Sequence, residues 1–326
     1  MVSVVFDWAG EVAACVADVA LLEAALTPTL LQSPALAASL AAAPLLLLDG
    51  NLSAAALEAA CAIAGTGAGA SDSGASSSDN LAPKPPGASW GSGRCRIWFE
   101  PVSAPKSVRA VGVLAQLDFI SPNAAELVAM AEALWQRQEG QQDRCQNGGH
   151  RKQWPAGSSE LGGPASQACG SSSSGGGGGS TLSSSTQGQP GEGAAPTTQI
   201  QALLPHVRAL LAAGVGHIVL TLGAVGAALC RLDPGGRQVL VTHMPALAAA
   251  VVNCSGAGDC LVAGCLFGLA QGSTPEQALS YGLAAARAAV ESSGNVPARL
   301  SASALARDAA QAGAQACQLT FPAAAS

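Results

Sequence analysis

Short, wholly apolar runs alternate along this chain with longer stretches in which apolar residues recur every three or four positions. Residues 2–6 and 12–16 read as two strands around a turn that carries Gly10, a hairpin by its glycine-bearing loop. A helical stretch opens at Thr27 and Pro28, and a second, over 35–43, runs into the apolar strand 45–49. Ser53 is an N-cap candidate for a helix reaching about residue 64. Further on, 96–100 reads as a strand, 107–114 as a helix, 118–121 as a strand and 124–136 as a helix. Residues 200–213 form another helix, and 217–222 a continuous apolar strand closing at Gly223. Buried strands alternating with helices predict an α/β protein with a mostly parallel sheet and helices on both faces. Ligands of such sheets bind beyond the carboxyl ends of the strands. Asp49, Glu100, Asn123, Thr221 and Gly223 each fall just after a predicted strand.

Composition removes two segments from this alternation. Residues 66–93 and 138–198 are rich in Gly, Ser and Pro, and the second holds a serine run at 171–174 followed by glycines at 175–179. Their low hydrophobicity cannot repay the entropy of ordering, so both read as disordered insertions in one domain spanning 1–326. Apolar residues make up 49% of the chain and aromatics 3%, which implies a core of Ala, Leu and Val. The net charge of −6, without any Lys/Arg cluster, excludes nucleic acid as a partner and leaves a small molecule. The apolar stretch 36–48 is broken by Pro44, ends at Asp49 and falls short of the ~20 residues a membrane span requires, so no membrane partner is expected. Ten scattered cysteines with no CxxC spacing argue against both a thiolate metal site and a disulfide framework. With no basic leader ahead of an apolar stretch, they point to a reducing compartment, the cytoplasm.

Chemistry concentrates at residues 252–264. Gly256, Ala257 and Gly258 open a helix in which Leu261, Cys265, Leu266 and Leu269 recur at helical spacing. Small side chains let the backbone amides approach a ligand, and the positive end of the helix dipole favours an anion there. The turn is thus an anion hole suited to a transferring phosphoryl group. Asp259, in the first turn, is placed to accept a hydroxyl proton as general base. By itself such a turn equally reads as a simple helix cap. Asn123 and Glu126 have the spacing of a cap and its first-turn acid. Thr221 with Gly223 equally reads as a buried strand residue followed by a turn. None of the four histidines shows paired spacing, and none is assigned a role.

Together these segments resemble the ribokinase-like (PfkB) kinases. The run 253–259 with Ala263-Gly264 behind it is similar to the family's second signature, and Asn123-Ala-Ala-Glu126 to its Asn-x-x-Glu motif. Thr221-Leu-Gly223 matches the Thr-x-Gly near the nucleotide, and Asp49-Gly-Asn51 the Asp-x-Asn facing the cleft. The resemblance implies a doubly wound, mostly parallel ribokinase-like sheet with a small β lid hairpin at the N-terminus. It also implies ATP and Mg²⁺, with Asn123 and Glu126 organising magnesium and phosphate and no protein side chain assigned as a direct metal ligand. The sequence Glu100-Pro-Val-Ser-Ala-Pro-Lys106 and Val251-Val-Asn253 are most similar to the pseudouridine kinase branch, with Lys106 on the substrate side of the cleft. The implied reaction is ATP-dependent phosphorylation of a ribosyl hydroxyl of a sugar or nucleoside, most specifically pseudouridine to its 5′-phosphate. A surface ion pair between Glu100 and Lys106 is the structural alternative for that segment.

The chain also departs from the family. Its hairpin begins almost at Met1, so the preceding strand and Gly-Gly substrate signature are expected to be missing. That would leave a sheet edge open to pairing, as in a homodimer. The competing expectation is a non-catalytic remnant that binds a nucleotide or a partner. Asn253 stands where many relatives carry Asp in a monovalent-cation site, and Leu283 where an Asn often lies near adenine. Neither potassium activation nor that adenine contact is carried over.

Overall fold

The computed structural model describes residues 2–6, 12–17, 19–66, 95–147 and 196–323, with side chains over 19–66, 95–140 and 196–323. An antiparallel pair, β1 (Val2–Phe6) and β2 (Val12–Ala17), opens the chain. Then come α1 (Ala20–Ala25), α2 (Pro28–Leu31), α3 (Pro34–Ala42), β3 (Leu45–Asp49), α4 (Ala54–Thr66) and β4 (Arg96–Glu100). After these lie α5 (Ala104–Ser107), β5 (Phe119–Ile120), α6 (Ala124–Asn147), α7 (Pro196–Ala212), β6 (His217–Thr221), β7 (Ala227–Leu232) and β8 (Gln238–Met244). The chain closes with α8 (Ala257–Ala270), α9 (Pro275–Val290), α10 (Ala302–Ala314) and β9 (Cys317–Pro322).

Seven strands form one sheet in the order β3-β4-β5-β6-β7-β8-β9. Pairing is parallel from β3 through β6 and antiparallel from β6 through β9. The sequence-based expectation of a mostly parallel sheet therefore holds for the half that carries the strand-end residues. The antiparallel half rests on a hairpin the alternation did not reveal. Its turn is tied by Asp233, whose Oδ1 accepts from the amides of Arg237 (2.6 Å) and Gln238 (2.8 Å).

Strand alternation sorts side chains onto two faces, each with its own core. Ile97, Phe99, Ile120, Ile218 and Leu220 pack with α4, α6 and α7. Trp98, Phe119, Val219 and Leu229 point the other way, toward residues of α8, α9 and α10. On that second face Trp98 stacks on Phe119 (centroids 4.9 Å apart) and Phe119 on His217 (4.6 Å), one ring from each of three adjacent strands. Burial pushes the His217 pKa down to about 4, so the ring is neutral and acts as core. Leu47 of β3 shares this face yet is 48% exposed.

Three expectations shift. Residues 107–114 are not one helix: α5 is a single turn, followed by 3-10 turns over Val108–Gly112 and Leu114–Gln116. Gly112 disfavours a longer α-helix, and the side chains of Glu58 and Arg137 press within 3.2 Å of where a Cβ on Gly112 would stand. Helix α6 runs to Asn147 and α7 starts at Pro196, so the insertion expected at 138–198 begins later and ends earlier. The Gln, Glu and Arg residues after 137 are good helix formers, and the Gly-rich composition starts only beyond Asn147. The remaining insertion segments and the turn carrying Gly10 lie outside the described residues. Among those residues no helix is long and apolar enough to cross a membrane.

Candidate active site

Parallel pairing aligns the strand ends. Asp49 is in register with Glu100, and beyond the end of β5 an isolated parallel bridge joins Asn123 to Thr221, the last residue of β6. The Gly50 amide donates to the Glu100 carbonyl (2.8 Å) and the Thr221 amide to the Pro122 carbonyl (3.0 Å). Asp49, Glu100, Asn123 and Thr221, four of the five residues expected after strands, thus line up at the carboxyl ends of the strands, and Ser121 joins them.

Glu100 is the member of this row that sequence reasoning undervalued. Its carboxylate accepts a hydrogen bond from Ser121 Oγ, which itself accepts from Trp98 Nε1 (2.8 Å). Burial, assisted by repulsion from Glu126 and Asp259, raises its pKa to about 7 against the opposing bonds from Ser121 and the Val102 amide. Glu126 and Asp259 are therefore near enough for their charges to be felt at Glu100. Val102 itself has φ 69°, the left-handed region that a β-branched residue avoids. The ion pair between Glu100 and Lys106 does not form: Glu100 turns to Ser121, while Lys106 Nζ donates to Asn51 Oδ1 (2.7 Å). Asn51 in turn donates to Asp49 from its amide (3.0 Å) and its side chain (2.9 Å). Below this array Arg109 Nη1 donates to the carbonyls of Gly50, Asn51 and Leu52, and its Nη2 meets Glu23 at 2.7 Å.

Asn123 and Glu126 cap α6 reciprocally. Glu126 N donates to Asn123 Oδ1 (3.0 Å) and Asn123 N to Glu126 Oε2 (2.9 Å). The capping geometry is thus real, and it fixes a carboxylate only 5% exposed at the strand ends. Burial raises the Glu126 pKa while the bonds from Asn123 oppose the rise.

Helix α8 presents its N-terminus through Gly256, whose φ of 82° and contact with the Asn295 backbone exclude any side chain. Ala257 and Gly258 follow, the latter with open space above its Cα. The Ala257 amide donates weakly to the Cys254 carbonyl (3.3 Å), while the next first-turn amides have no intrahelical acceptor and are available to an anion. Asp259 is exposed, and among the described residues no hydrogen bond ties its carboxylate. Behind the turn, Asn253 Oδ1 accepts from Ser255 N (2.9 Å), and the amides of Val252 and Asn253 donate to the Val290 carbonyl. Thr221 is half-buried at the end of β6, and Gly223 opens an exposed 3-10 turn, Gly223–Val225, with φ 58°.

Helices on both faces of a sheet whose parallel half ends in acids and amides define the ribokinase-like class. Solved structures share this fold. A carbohydrate kinase from Agrobacterium tumefaciens superposes with a TM-score of 0.52 at 20% identity, over 98% of this chain and 70% of that one. A ribokinase from Thermotoga maritima gives 0.52 at 16% identity, over 94% of this chain and 66% of that one. By sequence, residues 187–301 match the profile of the pfkB family carbohydrate kinases. A pseudouridine kinase from Arabidopsis thaliana is 30% identical over 333 aligned residues, 91% of this chain and 69% of that protein. The chain belongs to the pfkB family of carbohydrate kinases, and is thereby a phosphotransferase acting on a hydroxyl group.

Proposed function

We propose that this chain transfers the γ-phosphoryl group of ATP to a ribosyl hydroxyl of a nucleoside, converting pseudouridine to pseudouridine 5′-phosphate. The observation that carries the reading is Asp259: exposed, with no hydrogen bond to its carboxylate among the described residues, and in the first turn of a glycine-capped helix, near enough to Glu100 to help raise its pKa. Asp259 takes the proton from the acceptor hydroxyl as its oxygen bonds to the γ-phosphorus. The bond from that phosphorus to the β,γ-bridging oxygen breaks, leaving ADP. The amides around Gly256, Ala257 and Gly258 hold the charge that develops on the phosphoryl oxygens. Thr221 and Gly223 face the nucleotide, while Asp49, Asn51 and Lys106 line the acceptor side.

The donor set suits magnesium. Asn123, Glu126 and Glu100 offer hard oxygen atoms, and the mutual repulsion of the carboxylates is one a divalent cation relieves. Magnesium keeps several waters and is ordinarily held chiefly by phosphates, so no protein side chain is assigned as a direct ligand. When bound, magnesium neutralises phosphate charge, and Asn123 and Glu126 organise it. Support for the acceptor comes from the similarity to the Arabidopsis pseudouridine kinase and from the run Glu100 to Lys106.

The test is a mass-spectrometric assay of phosphorylated product with ATP and a panel of pseudouridine, uridine, adenosine and ribose. Pseudouridine is expected to be the preferred acceptor. Asp259→Asn should keep the affinity for a non-hydrolysable ATP analogue but lose about 10³-fold in turnover. Equal turnover by that variant overturns the mechanism. Analogue binding without phosphorylation of any acceptor would instead favour a nucleotide-binding module.

A further inference from the structure

The buried polar groups of the antiparallel half include His243, 6% exposed, on β8. Its Nε2 lies 3.0 Å from the carbonyl oxygen of Val225, so Nε2–H donates to a carbonyl within the turn that follows β6. The same turn is clamped from a second direction. Gly226 has φ 106° and lies so close to the backbone of 244–246 that a Cβ would stand 2.6 Å from Ala246 N. Internally, Leu222 N donates to the Gly226 carbonyl (2.9 Å) and Gly226 N to the Gly223 carbonyl (3.0 Å). Register fixes the ring's starting point, since His243 pairs with Ala228 and Met244 with Ala227. Gly223 and Ala224, by contrast, are exposed at the tip. An exposed tip on a buried, doubly anchored base is the form of a loop kept in one shape for a ligand rather than for the core.

We propose that His243 is a positioning residue for the nucleotide: by holding the Val225 carbonyl it fixes the turn 223–226 in the conformation that presents Thr221 and Gly223 to ATP. This rests on the reading that those two residues face the nucleotide. His243 touches neither substrate and acts through the turn alone. Losing the donor leaves a part-buried carbonyl without its partner and releases the turn, so the penalty falls on ATP rather than on the acceptor.

Side-chain geometry supplies the experiment. The Nε2 of glutamine stands as many bonds from Cβ as the Nε2 of histidine, whereas the Nδ2 of asparagine stands one bond short. His243→Asn is expected to raise the KM for ATP by roughly 10-fold, with the acceptor KM within about twofold of wild type, and His243→Gln to restore the ATP KM. Melting temperatures of both variants are read alongside. A merely structural histidine would lower the melting temperature of both and move kcat and the two KM values together, and that result overturns the proposal. So does an ATP KM unchanged in His243→Asn. If a variant is too unstable for kinetics, amide exchange across 222–227 in the wild type decides: protection by a non-hydrolysable ATP analogue supports the proposal, and no protection overturns it. Failure of the wild type to use ATP at all would fault the kinase reading itself, a result distinct from any behaviour of the variants.

Discussion

Glu100 combines burial with two carboxylate neighbours, and the pH dependence of that combination can be worked out. Its folded pKa of about 7 lies above the ordinary 4.5, so the native state holds the proton more tightly than the unfolded chain. The group's contribution to stability is full below pH 4.5 and is lost as pH rises through about 7. Above that, the ionised carboxylate costs on the order of 3 kcal/mol. Glu100→Gln should therefore raise the melting temperature at pH 8 and give little gain at pH 5, as thermal unfolding at the two pH values would show. An equal gain at both would mean that another group titrates. Val102 is the second residue under tension, and Val102→Asn should stabilise the fold by about 1 kcal/mol in denaturant titration, because Asn tolerates the left-handed region. Asp259, Asn123 and Glu126 could be singled out from sequence because their spacing along one segment carries the signal. Glu100 could not be weighed in that way. Its environment comes from Ser121 and Trp98, and only the register of β4 against β5 brings Ser121 within reach.

At the level of elements, α8 depends on small residues at two places for two reasons. Gly256 supplies a left-handed N-cap pressed against the Asn295 backbone, so Gly256→Ala both strains the turn and displaces the amides behind it. A fall in turnover of about 100-fold is expected, with ATP-analogue affinity falling as well, in steady-state and calorimetric assays. Gly264 serves packing instead: a Cβ there would stand 2.5 Å from the Tyr281 carbonyl and 2.9 Å from Ala285 Cβ. Gly264→Ala should cost about 2 kcal/mol by forcing α8 away from α9. The α8 helix was legible because its apolar residues keep helical spacing up to Ala270. The segment after β4 was not, since a one-turn helix and two 3-10 turns leave no period to read. Strands β7, β8 and β9 were missed for a related reason. The sequence signal for β7 and β8 is the turn chemistry of Asp233-Pro-Gly-Gly236 rather than a strict alternation.

Across the whole molecule, the sheet separates two cores, and the cysteines report on both. Burial raises the Cys230 thiol to about 12 and pushes the Cys265 thiol up as well, whereas Cys317 is exposed on β9. Alkylation of the native protein followed by peptide mass spectrometry should label Cys317 readily, and Cys230 and Cys265 only after denaturation. The α/β class and the two-faced packing were legible because strand and helix periods alternate. The switch from parallel to antiparallel pairing at β6 was hidden, because pairing direction leaves no mark on a strand's own residues.

The bridge between Asn123 and Thr221 has a mechanical consequence. Through the Pro122 carbonyl, which accepts from the Thr221 amide, the residue that caps α6 is bridged by backbone to the last residue of β6, two positions before the exposed glycine turn. No hinge can open between them without breaking the sheet itself. The strand-end residues are thus set by the sheet's own backbone, whereas Gly256 and Val102 lie outside every strand and are set by left-handed backbone geometry instead.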